Sequence, residues 1–291
     1  MDPDTKINKR LDFELIRKDL FENGFSGPHK LFDSDEILPI QETVYSRIKK
    51  YITNDDSKLS LLEKLNLPLE GDIPRKFIFD LRAEMTSVVT EFSHSSVVKN
   101  IFVDLFDSKD VVPCGSFHDF RGNFPEFTLH ATGWHQDAET FFTHGHKEWK
   151  HSFYAMWVSL NDANQGNSVE FIGGSHQAKH LYSQNYSDSS RDISDISKKL
   201  SKLSTTKIEC HAGDVFFIDP LVFHRSVINK NNYARFSIDV RYYDPSSVQS
   251  YSSIDKGLYV IKTKQFLKDS YFYRNVSNWS FLRKFLGMPP R

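Results

Sequence analysis

From about residue 111 the sequence breaks into short runs of β-branched and aromatic residues, and this punctuation constrains the fold more than any other feature. VVPCGSF, EFTLHATGWH, SFYAMWVSL, SVEFIGG, DVFFIDP and RFSIDVRYY are set apart by Gly, Asn, Asp and Pro at fairly regular intervals. Runs of this kind, bounded by turn formers, predict antiparallel strands folded into a sandwich or barrel. The 25 Phe, 12 Tyr and 4 Trp agree, because aromatic side chains fit pleated, half-buried surfaces. The last run alternates cleanly. Arg235, Ser237, Asp239 and Arg241 share one face, and Phe236, Ile238, Val240 and Tyr242 share the other.

The first third, residues 1–110, reads mainly as helix. In LDFELIRKDLFENG (11–24) the residues Leu11, Ile16, Leu20 and Phe21 fall near one face, and Gly24 supplies a C-terminal stop. ETVYSRIKKYI (42–52) and RKFIFDLRAEMTSVVTEF (75–92) are similar, with helix continuing through VVKNIFVDLF (97–106). These stretches are expected to cover one side of a sheet. The core is expected over 111–245, interrupted by a polar Ser, Asp and Lys insertion at 182–205, with a C-terminal extension at 246–291. The whole is expected to be a single domain of 291 residues, mainly β with flanking helices.

Composition narrows the function. The 37 basic and 38 acidic residues give a formal net charge of -1, so no general basic surface for nucleic acid or anionic lipid is indicated. Two cysteines, Cys114 and Cys210, exclude a disulfide scaffold and a cysteine-rich zinc module. No apolar run approaches the roughly 20 residues of a membrane span. The opening MDPDTKINKRLDFE has no signal-like apolar stretch, and the closing MPPR lacks an SKL-type address. The expected setting is cytoplasmic, with no nucleic-acid or membrane partner.

The chemistry concentrates in GWHQDAETFF. On a strand, His135 and Asp137 point to the same face, so an imidazole and a carboxylate converge. His224, in GDVFFIDPLVFHRSV, is the candidate third ligand. Two histidines and one carboxylate leave three adjacent metal positions open, which suits non-haem Fe(II) and oxygen. Arg235 follows His224 on the polar face of its strand. Its guanidinium fork matches a carboxylate, so a dicarboxylate such as 2-oxoglutarate can chelate iron at one end and meet Arg235 at the other.

WHQD (134–137), YAMW (154–157), GGSH (173–176), GDVFFIDPLVFHRS (213–226) and the Arg235 spacing together resemble the phytanoyl-CoA dioxygenase family of Fe(II)/2-oxoglutarate oxygenases. FENGF followed by LFDSDEI resembles the family's opening helix and turn. The resemblance implies a double-stranded β-helix, the cupin-like jelly roll. It implies His135, Asp137 and His224 as iron ligands and Arg235 as anchor of the 2-oxoglutarate distal carboxylate. Ser226 matches a position whose hydroxyl helps hold that carboxylate, and Gln136 and Trp157 match positions lining the cosubstrate site. It further implies O2 as second cosubstrate, succinate and CO2 as coproducts, and hydroxylation of an unactivated C–H in a small or medium polar metabolite. Related halogenases carry Gly in place of the carboxylate; Asp137 is retained here, which favours hydroxylation or another oxidation over halogenation.

Arg121 and Arg241 are the candidate contacts for an anionic substrate group, although Asp239 and Arg241 could instead satisfy each other. His144, His146 and His151 in HGHKEWKH read as a loop at the barrel mouth, His176 as a turn cap, His130 as structural, and both cysteines as inert packing. Two other classes stay open. One is a catalytically silent jelly roll that binds a small ligand. The other is a zinc-dependent hydrolase with the same three ligands and Glu139 or Glu170 as base.

Overall fold

The computed structural model describes residues 10–114, 118–126, 133–138, 153–178 and 204–244. His130, Glu139, the HGHKEWKH segment, residues 182–203 of the expected insertion and the extension at 246–291 lie outside the described residues. All described residues fall within one compact unit, Met1–Ser247.

The helices begin and end where local chemistry dictates. α1 (Phe13–Asn23) starts at Asp12, whose side chain accepts the Leu15 N–H at 3.0 Å. It stops at Gly24, which adopts the left-handed conformation (φ 83°) and donates its N–H to Leu20. α2 (Ser34–Ile48) starts earlier than the 42–52 reading placed it. Glu36 accepts the Asp33 N–H at 2.6 Å and fixes the first turn, and the helix runs through Pro39, a residue that ordinarily ends one. A short 3-10 turn (Lys49–Tyr51) and α3 (Leu61–Leu65) follow. The continuous run read at 75–106 divides into α4 (Arg75–Ser93) and α5 (Ser96–Phe106), because the Ser95 hydroxyl caps a new helix by accepting the Val98 N–H.

Among the described residues, nine strands form two antiparallel sheets. They are β1 (Phe25–Lys30), β2 (Val112–Pro113), β3 (Asp119–Asn123), β4 (Phe153–Ser159), β5 (Val169–Ile172), β6 (Thr205–Lys207), β7 (Asp214–Ile218), β8 (His224–Ser226) and β9 (Arg235–Tyr243). The larger sheet runs β1-β7-β4-β9-β2, with β3 also on β9; the smaller runs β6-β5-β8. The result is the jelly roll expected, with helices on one side. Two details differ from the sequence reading. The N-terminal third contributes a strand, β1, which Gly27 and Pro28 disguise as a turn. The segment carrying His224 is not one strand but two, β7 and β8, in different sheets.

Alternation along the central strands sorts the core into two. Met156 and Val158 of β4, Val215 and Phe217 of β7, and Phe236, Ile238, Val240 and Tyr242 of β9 pack with Ile16, Leu20, Val44, Met85, Val89 and Phe102 of the helices. The intervening Ala155, Trp157, Phe216 and Ile218 face the other way and pack with Val169, Phe171 and Val222 from the smaller sheet and its approach. Each buried Phe or Val contributes about 2 kcal/mol. The larger sheet is therefore buried on both faces, and any polar residue on its inner face is enclosed.

Gly213 joins the N-terminal part to this sheet. Its carbonyl accepts the Leu31 and Phe32 N–H groups at 3.4 and 3.0 Å, its φ is +86°, and an added Cβ would lie 2.1 Å from the Phe32 carbonyl oxygen. Gly213→Ala must both strain the backbone and break this approach. It is expected to lower unfolding free energy by about 2 kcal/mol in denaturant titration; parental stability would refute the assignment.

Candidate metal centre

The site is assembled from one bridge, one turn and one long strand. His135 and His224 form an isolated antiparallel β-bridge, each donating its N–H to the other's carbonyl at 3.0 Å. The pairing sets the two rings side by side, with centroids 4.2 Å apart. After His135 the chain does not continue as a strand. It is already helical at Asp137 and Ala138, so the carboxylate reaches the imidazoles by a turn and not by the i, i+2 strand geometry read from sequence. The turn is tied down at both ends. The Gln136 amide donates to the Leu221 carbonyl at 2.7 Å, and the Ala138 N–H donates to the Pro220 carbonyl at 2.9 Å.

The donor atoms of His135, Asp137 and His224 all lie within 4.8 Å of one another, and all three residues are buried. Asp137 Oδ1 lies 3.7 Å from His135 Nε2 and 3.8 Å from His224 Nε2. The other ring nitrogens face backbone carbonyls: His135 Nδ1 meets Gly133 O at 2.9 Å, and His224 Nδ1 meets Val222 O at 3.1 Å. A carbonyl only accepts, so each Nδ1 carries a hydrogen, and Nε2 is the ring atom turned toward Asp137 Oδ1. Phe171 stacks on the His224 ring at 5.7 Å. Burial opposes the charge on Asp137, but Arg241 and the imidazoles of His224 and His135 outweigh it and hold the carboxyl well below the usual carboxylate range. Two imidazole nitrogens and one carboxylate oxygen converging on one point fit Fe(II).

Arg235 is 1% exposed. Its Nε donates to the Asn167 carbonyl at 3.2 Å, its Nη1 to Ser237 Oγ at 2.6 Å, and its guanidinium carbon lies 5.3 Å from the Trp157 ring. Among the described residues it has no ion-pair partner, and burial lowers its pKa to about 10. An enclosed guanidinium with unused donors fits an incoming carboxylate. Asn123 went unread in the sequence, since a lone Asn in FRGNFPEF carries no motif. It sits opposite Arg235 in the β3–β9 ladder and donates to the same Asn167 carbonyl, and to Val227 O, both at 2.9 Å. Ser226 lies two residues after His224 on β8, half-buried. The structure thus brings Trp157 to Arg235, while Gln136 spends its amide on Leu221.

Arg121 and Arg241 are engaged by carboxylates. Arg241 donates from Nε to Asp137 Oδ2 at 3.0 Å, its Nη2 lies 2.9 Å from the same oxygen, and it lies 3.6 Å from Asp239. Arg121 Nε lies 3.1 Å from Asp119 and 3.3 Å from Asp239. Behind the bridge, Arg225 pairs with Glu170 at 2.6 Å and lies over the Trp134 ring at 4.5 Å, so the neighbours of both histidines are clamped on the far side. His176 donates to the carbonyl of Phe21 near the end of α1, at 3.0 Å, as a cap would. Cys114 and Cys210 are buried and unpaired as thiols. No helix among the described residues is long and apolar enough to cross a membrane.

His118 adds a pH dependence. Its Nδ1 accepts the Arg241 backbone N–H at 3.1 Å. Burial, then the charges of His94 and Arg241, lower its pKa to about 3. Below about pH 6.5 the unfolded chain takes up this proton and the folded chain does not. The stability held by neutral His118 is complete above that pH and falls away toward pH 3. The difference in thermal midpoint between metal-free parent and His118→Gln should therefore shrink on going from pH 7 to pH 4. Parallel curves would refute it.

The phytanoyl-CoA dioxygenase (PhyH) family model matches residues 22–237. No curated protein matches in sequence. Solved structures do share the fold. AviO1 from Streptomyces viridochromogenes Tue57 is 18% identical, with a TM-score of 0.51 over 82% of this chain and 97% of that one. EctD from S. alaskensis, solved with 2-oxoglutarate and 5-hydroxyectoine, is 14% identical, with a TM-score of 0.54 over 82% and 78%. The epimerase SnoN, solved with Fe3+, alpha ketoglutarate and nogalamycin RO, is 14% identical, with a TM-score of 0.52 over 80% and 83%. With a model match over most of its length, a buried His/Asp/His cluster and a jelly-roll frame, the chain belongs to the phytanoyl-CoA dioxygenase family.

Proposed function

We propose that this protein is an Fe(II)- and 2-oxoglutarate-dependent dioxygenase that hydroxylates an unactivated C–H of a small or medium polar metabolite. The observation that carries the reading is the pairing of two unlike sites in one barrel: a buried two-histidine, one-carboxylate cluster, and a buried Arg235 with no carboxylate partner among the described residues. His135, Asp137 and His224 would hold the iron. Arg235, with Ser226 beside it in sequence role and Trp157 against its guanidinium, would receive the distal carboxylate of 2-oxoglutarate. Bound iron, 2-oxoglutarate and O2 supply the oxidising power, with succinate and CO2 released. The chain's own residues orient and enclose. The His135–His224 bridge fixes the imidazoles, Trp157, Phe171, Phe216 and Ile218 form an apolar wall that excludes water, and no protein nucleophile or base is required.

Membership of the family leaves the outcome of the oxidation to be proposed, since SnoN is named an epimerase while EctD was solved with a hydroxylated compound. Hydroxylation is the reading kept here, and the retained carboxylate Asp137 argues against halogenation. Charge on the substrate is a separate matter. Arg121 and Arg241 already face Asp119, Asp239 and Asp137, so an anionic substrate group is not required by unmatched charge at either. A zinc hydrolase finds no base in Glu170, whose carboxylate is held by Arg225. A silent binding module leaves the convergent donor set without a role.

The test is an anaerobic titration of metal-free protein with Fe(II) and then 2-oxoglutarate, read by visible absorption. A charge-transfer band needing both additions is expected. His224→Ala should abolish it, and Arg235→Ala should weaken 2-oxoglutarate binding by at least ~30-fold, the scale of an unmatched buried carboxylate. Succinate release across a substrate panel then identifies the substrate; turnover restricted to neutral lipids would overturn the polar-metabolite reading. Absence of the band in folded parent protein would overturn the oxygenase reading, and activity with zinc in the absence of oxygen would replace it with the hydrolase.

A further inference from the structure

We propose that Arg241, braced by Asp239, is a positioning residue that restricts Asp137 to a single metal-binding oxygen; the inference rests on the iron reading of the His135, Asp137, His224 cluster. The two carboxylate oxygens of Asp137 have different partners. Oδ1 faces both imidazole Nε2 atoms, at 3.7 and 3.8 Å. Oδ2 accepts the Arg241 Nε N–H at 3.0 Å and lies 2.9 Å from Arg241 Nη2. Turning the carboxylate to offer both oxygens to an ion would break a charge-assisted hydrogen bond and a close ion pair in a buried site, where both are strong.

The guanidinium is itself held. Asp239 lies on the same face of β9, with its Oδ2 3.6 Å from Arg241 Nη2. The same oxygen lies 3.3 Å from Arg121, which lies 3.1 Å from Asp119, which in turn accepts two N–H groups from Arg82 on α4, one at 2.7 Å. The backbone of Arg241 is pinned on both sides, its N–H to His118 at 3.1 Å and its carbonyl from the Cys114 N–H at 2.8 Å. Arginines and aspartates therefore alternate from α4 through β3 and β9 to the metal ligand, three of each, and the charges cancel along the row. Nothing in this row is a hinge.

The chemistry gives the arrangement a purpose. Six positions surround an octahedral ion. Two imidazoles and one carboxylate oxygen leave three, enough for a chelating 2-oxo acid and O2. A carboxylate bound through both oxygens would take one of those three. By occupying Oδ2, Arg241 keeps the third position open before any ligand arrives, which is the part outer partners play in tuning a metal site.

The experiment titrates metal-free protein with Co(II), used as a spectroscopic substitute, and records affinity and the visible d–d bands for parent, Arg241→Gln, Arg241→Lys and Asp239→Asn. Arg241→Gln is expected to weaken Co(II) binding about 10- to 100-fold and to change the band shape as the second oxygen becomes available. Arg241→Lys, which keeps a charged donor, should recover part of the affinity and more of the parental spectrum. Asp239→Asn should shift both in the direction of Arg241→Gln, by less. A folded Arg241→Gln variant with parental spectrum and affinity within twofold overturns the proposal. If that variant does not fold, an Asp239→Asn protein indistinguishable from the parent overturns it instead. Failure of the parent to bind Co(II) is a different result, and removes the metal reading itself.

Discussion

The structure turns on β9 being buried on both faces although every second residue in it is polar. Its outer face, Phe236, Ile238, Val240 and Tyr242, is the floor on which the helices pack. Its inner face carries Arg235, Ser237, Asp239 and Arg241, none more than 8% exposed. Burying two guanidiniums and a carboxylate is costly unless each finds partners. Arg241 and Asp239 find them in Asp137, Arg121 and each other. Arg235 does not, and its hydrogen bonds to a carbonyl and a hydroxyl leave its charge unmatched among the described residues. One strand thus holds a satisfied charge next to the His135, Asp137 and His224 cluster and an unsatisfied one farther along.

Much of this was legible in the sequence because it depends on period-two alternation. RFSIDVRYY shows both faces of β9 directly, and DVFFIDP and FYAMWVS read as strands that lie beside it. His135, Asp137 and His224 were legible because metal ligation restricts residue type more than packing does. What the sequence obscured has physical causes. β1 is hidden because Gly27 and Pro28 are turn formers, yet its pairing with β7 compensates through an irregular register. The start of α2 is hidden because Asp33, Asp35 and Pro39 read as a loop until the capping bond of Glu36 is seen. His135 and Asp137 converge by a bridge followed by a turn, not by a strand, so the expected convergence arises through a different backbone.

The residues that sequence could not rank are those whose role depends on a partner far along the chain. Arg241 and Arg121 stood out only as cations on a polar face. That they meet Asp137, Asp119 and Asp239 depends on strand register, which no local motif encodes. Asn123 is a stronger case. Its side chain joins the carbonyls of Asn167 and Val227 beside Arg235, yet in sequence it is one asparagine before a turn.

The span of the Asp137–Arg241 pair also sets an order of events in time. The two residues are 104 positions apart, and β9 is the last of the described strands to be made. A chain emerging from a ribosome displays His135 and Asp137 while the bridge partner His224 and the guanidinium that orders the carboxylate are still to be synthesised. Until then the pair is an ordinary imidazole and carboxylate, with neither the geometry nor the enclosure to retain a redox-active ion. Long-range strand pairing, usually a burden on folding speed, would here delay any metal binding at this cluster until the barrel around it has closed.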